Sequence, residues 1–265
     1  MYTARMTPAE IDRETHEDIT NVQSKLKYTQ EDFRRMVLKA TRFPVVMRYE
    51  QNTKRKNRWK VMLLAYSRQN TRGRTAVVFY SICESELGKF VYLPVPYLQR
   101  GLGKFRTLVF KPHYMSRYRE RMGRQESGEA LIDHLMTTTM TLELLFFPHA
   151  DGRVTVIGTM DEGFCFGESY DHDNVVLIRT FVPRKMMFSD QREIFDLTHA
   201  DREQEMHAHL ERLKTMSARQ LLDHARQQTP EARKLSAVPK DAKEFKRWME
   251  NAREIAPEIE MPDEE

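Results

Sequence analysis

Cysteine is scarce in this chain: two among 265 residues, Cys83 and Cys165, each in its own apolar stretch. Two isolated thiols build neither a disulfide framework nor a cysteine-based zinc site, and they suit a reduced, cytoplasmic setting. The glycines form no phosphate loop, because "GLGK" (101–104) lacks the preceding glycine and the Ser/Thr that a P-loop carries. No apolar run approaches the roughly 18 residues of a membrane span, so no membrane partner is expected. The opening "MYTARMTPAEIDRETHED" has no apolar middle and does not read as a secretory leader. H-E-x-x-H and G-x-S-x-G are both missing, so the reading contains no metal, no cofactor and no serine nucleophile. Asp171-His172-Asp173 is turn-like, and His207 and His209 lack metal-ligand spacing. Internal repeats, heptads and low-complexity segments are absent too.

What the chain does have is charge, at 31% of residues against 40% hydrophobic, the balance of a soluble globular protein with charged helices. The net charge of +4 is unevenly spread: residues 29–182 carry 24 Lys/Arg against 16 Asp/Glu, and both flanks are slightly acidic. A basic middle favours polyanions as partners.

The pattern predicts an α+β protein, a mainly antiparallel sheet packed by helices, with a helical C-terminal extension. Residues 1–28 are polar and poorly periodic, a partly ordered arm with room for one short helix. In "YTQEDFRRMVLKATRF", Thr29 reads as a helix cap, and Phe33, Met36, Val37 and Ala40 recur at helical spacing. Five β-rich stretches follow at 43–51, 58–69, 74–84, 89–95 and 104–111, with connectors short enough for antiparallel hairpins. Pro94 and Pro96 mark a strand end or an edge. "SGEALIDHLMTTTMTLELLFF" (127–147) reads as one buried helix, with His134 as a core histidine. Three more strands fall at 153–160, 163–169 and 174–182. The core domain therefore spans 29–188, and 189–265 is a charged helical extension ending in an acidic tail.

Between the two strand groups lies "KPHYMSRYRERMG", residues 111–123. On a helical wheel with His113 at zero, Arg117, Glu120, Arg121 and Arg124 fall within about 80° of it, and Tyr114, Met115, Tyr118 and Met122 lie on the other side. One reading is an ordinary solvated face with (i, i+3) and (i, i+4) ion pairs. The other is chemical. Metal-independent RNA cleavage needs a group to take the 2′-hydroxyl proton and cations around the phosphorane-like transition state. Histidine titrates near neutrality and arginine forks onto phosphate oxygens.

The pattern His113-x3-Arg117-x2-Glu120-Arg121 resembles the H-x3-R-x2-E-R helix of bacterial toxin-type domains with the barnase/colicin/RelE-like ribonuclease fold. In those domains the helix precedes a curved antiparallel sheet whose late strand ends in a Thr-aromatic or Thr-Val pair. "VLIRTFV", with Arg179, Thr180 and Phe181, occupies a comparable place here. The resemblance implies that His113, Arg117, Glu120, Arg121 and Arg179 are catalytic and that His113, Arg117 and Arg179 face one RNA-binding concavity. The chain as a whole also resembles proteins of bacterial mobile elements and phages.

A second basic feature sits at the tip of a predicted hairpin, with Lys54, Arg55, Lys56 and Arg58 beside Trp59, and Arg72 and Arg74 in the next connector. Basic tips of this kind track a phosphate backbone, and an indole stacks on bases. A solubilising loop with Trp59 in the core is the alternative. The expected function is thus a cytoplasmic nucleic-acid-interacting protein, RNA or DNA being the partner, with metal-independent ribonuclease activity as its enzymatic form. The other reading is a non-catalytic binding, regulatory or structural protein that acts through protein contacts, self-association through the C-terminal helices included.

Overall fold

The computed structural model describes residues 1–68, 76–96, 105–139, 142–149, 151–170, 174–189 and 192. The predicted C-terminal helices, Arg72, Arg74, the 101–104 loop, residues 171–173, His207 and His209 lie outside the described residues.

The first group of β-rich stretches folds as an antiparallel meander: β1 (Val45–Asn52), β2 (Arg58–Ala65), β3 (Ala76–Ser85), β4 (Gly88–Pro96) and β5 (Phe105–Phe110). The second group is another: β6 (Glu143–Pro148), β7 (Val154–Met160), β8 (Gly163–Tyr170) and β9 (Val175–Pro183). Short connectors cannot carry a parallel crossover, so neighbours in sequence pair antiparallel. The meanders join into one nine-stranded sheet, ordered β1-β2-β3-β4-β5-β9-β8-β7-β6. Its single parallel seam pairs β5 with β9, from Thr107↔Val175 to Phe110↔Ile178.

Helices cover both faces. Helix α1 (Pro8–Ser24) and α2 (Leu26–Lys39) pack on one face, and α3 (Pro112–Met122) and α4 (Gly128–Thr138) on the other. Strand β2 shows why it reads as a nearly unbroken apolar run. Its Met62 and Leu64 belong to the α3/α4 core, while Trp59, Val61, Leu63 and Ala65 belong to the α1/α2 core. Among the described residues no helix is long and apolar enough to cross a membrane.

Three sequence expectations change. The N-terminal arm is instead a full helix, α1, with Thr7 and Glu10 closing a capping box. Its periodicity is weak because the buried face includes Glu14, Thr15 and Asp18 beside Ile11, Ile19 and Val22. Helix α2 begins at Leu26, so Thr29 lies inside it. The predicted helix 127–147 stops at Thr138, and the apolar run after it is β6, because consecutive threonines favour leaving the helix and "LELLFF" suits a strand. Pro94 and Pro96 lie within β4, beyond the last β3–β4 pair, Ser81↔Tyr92, and opposite Thr107 and Phe105 of β5.

The β6–β9 half is strongly curled. Arg106 on β5 places its guanidinium 3.9 Å from the Phe146 ring on β6. The two strands stand four places apart in the order, about 19 Å in a flat sheet. Only a curl toward the α3/α4 face brings them together.

Candidate nucleic-acid interface around helix α3

Local sequence fixes α3 at both ends. Pro112 occupies the first turn, where its missing N–H is not needed, and no side chain caps the first amides. Gly123 ends the helix at φ 65°, a left-handed conformation that suits glycine. The Gly123 amide donates to the Glu120 carbonyl at 3.1 Å and the Arg124 amide to the Arg119 carbonyl at 3.0 Å. This is a Schellman ending. It takes Arg124 off the wheel, and the chain leads it away toward α4. Tyr114, Met115 and Tyr118 are buried, with Tyr114 and Tyr118 against Phe181 of β9.

His113 is exposed and has no hydrogen bond or ion pair among the described residues. Arg117 pairs with Glu120 at 3.2 Å, while its Nε is buried without a hydrogen-bond partner among the described residues. Arg121 reaches β9, donating to Thr180 Oγ1 at 2.8 Å and to the Phe181 carbonyl at 2.6 Å. The reason is topological. Strand β5 ends at Phe110, opposite Ile178, so the last residues of β9 have no strand on that side, and Arg121 supplies donors to the open edge.

Arg179 does not join this group. The β8–β9 register jumps from Phe166↔Thr180 to Gly167↔Ile178, which leaves Arg179 as the extra residue of a bulge. Its guanidinium binds Glu168 at 2.6 Å and lies 3.4 Å from the Tyr170 hydroxyl. Glu168 and Tyr170 pair with Leu177 and Val175, whose side chains belong to the α1/α2 core. Cross-strand partners share a face, so Arg179 sits across the sheet from α3. The expected concavity of His113, Arg117 and Arg179 is not formed.

The hairpin tip is mostly a structural latch. Trp59 is fully buried and its Nε1 donates to Asp18 at 2.9 Å, so the indole is not available for stacking on bases. Arg55 binds Glu14 and Glu17 of α1. Asn57 donates to both Glu14 and Asp18, and Thr53 to Asp18. Burial alone would raise the Glu14 carboxyl, but donors from Arg55, the Met1 ammonium and Asn57 outweigh it and hold Glu14 down at about 2. Arg58 and Lys60 turn to the opposite face and bind Glu129 of α4, each at 2.7 Å. Hydrogen bonding from Lys60, with Arg58 assisting against partial burial, holds Glu129 down at about 2. Only Lys54 and Lys56 of the tip stand exposed without a partner among the described residues.

The best-organised titratable group was not apparent in the sequence. Glu162, in the turn between β7 and β8, is contacted by three residues, two of which, Arg124 and His134, also meet each other through Nη2 and Nε2. Tyr118 donates to its Oε2, and Arg124 Nη2 and His134 Nε2 lie 2.9 and 3.1 Å from its Oε1. His134 is half-buried on α4, not a core histidine. Burial, then Glu162 itself, raises the Tyr118 phenol, so it stays protonated and donates. Nothing in the spacing of residues 118, 124, 134 and 162 announces this cluster, because α3, its link to α4, α4 and a hairpin turn assemble it. Burial pushes the Cys165 thiol up to about 12, which leaves it unreactive. Among the described residues no group of His, Cys, Asp and Glu could hold a metal ion.

Comparison with protein-family models, curated proteins and solved structures finds no match.

Proposed function

We propose that this chain is a nucleic-acid-interacting protein whose contact face is the exposed side of α3, with metal-independent endoribonuclease activity as its enzymatic form. One observation carries the reading. Arg121 of the H-x3-R-x2-E-R helix is bonded to Thr180 and Phe181 of the late strand, so the two separated parts of the ribonuclease-like pattern meet as one unit. A helix followed by a curled four-stranded antiparallel meander supports the same reading. So does the free surface of the helix: His113, Lys111 and Arg119 are exposed and without partners among the described residues, ready for a phosphate backbone.

A second reading, binding without cleavage, is favoured by the engagement of the other arginines. Arg117, Arg121 and Arg179 each already hold a carboxylate or a backbone oxygen. The separating experiment incubates wild type and His113→Ala with structured and single-stranded RNA in the presence of a chelator. Cleavage by wild type supports the enzyme. Salt-sensitive binding without cleavage supports the second reading. Absence of binding at low salt refutes both and points to a structural protein acting through protein contacts.

A further inference from the structure

We propose that the residue taking the 2′-hydroxyl proton in this RNA cleavage is His134, oriented by Glu162, and not His113. The inference rests on the nucleic-acid reading above and names the working group of its enzymatic form. His113 is exposed, and among the described residues none fixes its ring or balances an imidazolium. His134 has both. Its Nε2 lies 3.1 Å from Glu162 Oε1, and its ring stacks near Tyr118 at 6.4 Å between centroids. Glu162 is itself fixed, because its turn is held by the β7–β8 ladder, whose last pair is Met160↔Gly163, and its carboxylate is fastened by Tyr118 and Arg124.

The second ring nitrogen, Nδ1, has no partner among the described residues and is not among the atoms sealed from water. With the Nε2 proton donated to Glu162, Nδ1 carries the lone pair, which a general base requires. The opposite tautomer, with Nε2 accepting from the adjacent Arg124, would place the proton on Nδ1 and remove that capacity. In the reaction, the 2′-oxygen bonds to phosphorus and the bond from phosphorus to the 5′-oxygen breaks. The 2′-hydroxyl proton passes to Nδ1, the departing 5′-oxygen takes a proton from water, and His134 later returns its own to solvent. The charges facing the imidazolium are the Glu162 carboxylate, Arg124, whose Nη2 meets both that oxygen and His134 Nε2, and Glu126 3.7 Å from Arg124. Asp161 is the neighbouring residue in the turn. Glu162 is a positioning residue in this scheme.

The test joins histidine NMR to cleavage. In the intact chain, nitrogen shifts should show the Nε2–H tautomer of His134. A 2′-O-methyl oligonucleotide, which binds but cannot be cut, should move the His134 signals. His134→Gln, which keeps an amide donor toward Glu162, should lower cleavage at least about 100-fold. Glu162→Gln removes the facing negative charge and should move the acid limb of the pH–rate profile to lower pH, a change that loosened packing alone would not produce. The proposal is overturned by an Nδ1–H tautomer, by cleavage surviving His134→Gln, or by an oligonucleotide that binds without moving His134. In that last case the nucleic-acid reading stands. An oligonucleotide that does not bind at low salt removes that reading, and this proposal with it.

Discussion

Asp18 is where the hairpin latch is most exposed to perturbation. Its Oδ2 accepts from Thr53 Oγ1 at 3.0 Å, Asn57 Nδ2 at 2.5 Å and Trp59 Nε1 at 2.9 Å, and the residue is 2% exposed. Asp18→Ala strands these donors in a site with little water. Asn57 keeps Glu14 as a second acceptor at 2.7 Å, so Thr53 and Trp59 bear most of the loss. At about 1–3 kcal/mol for each stranded donor, the expected destabilisation is about 2–6 kcal/mol. That is a large share of a stability of order 5–15 kcal/mol. Asp18→Asn retains an oxygen at the same place and loses mainly the charge assistance, about 1–2 kcal/mol. Urea titration followed by circular dichroism reads both as shifts in midpoint at unchanged slope. A loss below about 1 kcal/mol for Asp18→Ala, or equal losses for the two variants, would refute the view that convergence on one oxygen holds the hairpin.

The remaining expectations concern pH and backbone. Glu14 and Glu129 have depressed carboxyls, so their stabilisation is complete above the ordinary carboxylate range and drains away as pH falls from about 4.5 toward about 2. Denaturation midpoints between pH 7 and pH 2 should fall steeply in that window, and less steeply in Glu14→Gln. A Cβ at Gly167 would stand 2.3 Å from the Leu177 carbonyl oxygen, so Gly167→Ala should force β8 from β9 and cost more than about 2 kcal/mol. Gly123→Ala meets nothing within 4 Å and carries only the left-handed backbone penalty, about 1 kcal/mol. Thermal unfolding of the two variants should rank them in that order.

The sequence shows α3 clearly because a helix-starting proline and a terminating glycine bracket an amphipathic stripe, and the structure begins and ends the helix at those residues. Most strands are legible for a comparable reason, since apolar runs between turn residues leave few other choices. Helix α1 is hidden because its buried side is made partly of Glu14 and Asp18, whose partners Asn57 and Trp59 lie about forty residues on. The same long-range pairing makes the 53–59 segment look like a free basic tip when four of its residues point at α1. Arg179 misleads differently. One extra residue in β9 places it with Glu168 across the sheet from α3, and a bulge of one residue leaves no mark on composition. His134 and Glu162 belong to separate elements, α4 and the β7–β8 turn, that meet only in the folded chain.

The parallel seam also governs the order of assembly. Each meander closes by local hairpins, whereas β5 meets β9 only across a separation of 68 residues, from Thr107 to Val175. During synthesis the first meander is complete while β9 is still unmade. At about 5–20 residues per second, the backbone edge of β5 waits roughly 3–14 seconds for its partner. For that interval the nascent chain carries an unpaired strand edge able to recruit any extended segment nearby, including the same strand of another nascent copy. The seam is thus the point at which crowded translation competes with correct folding, and a chaperone that shields β5 would act there.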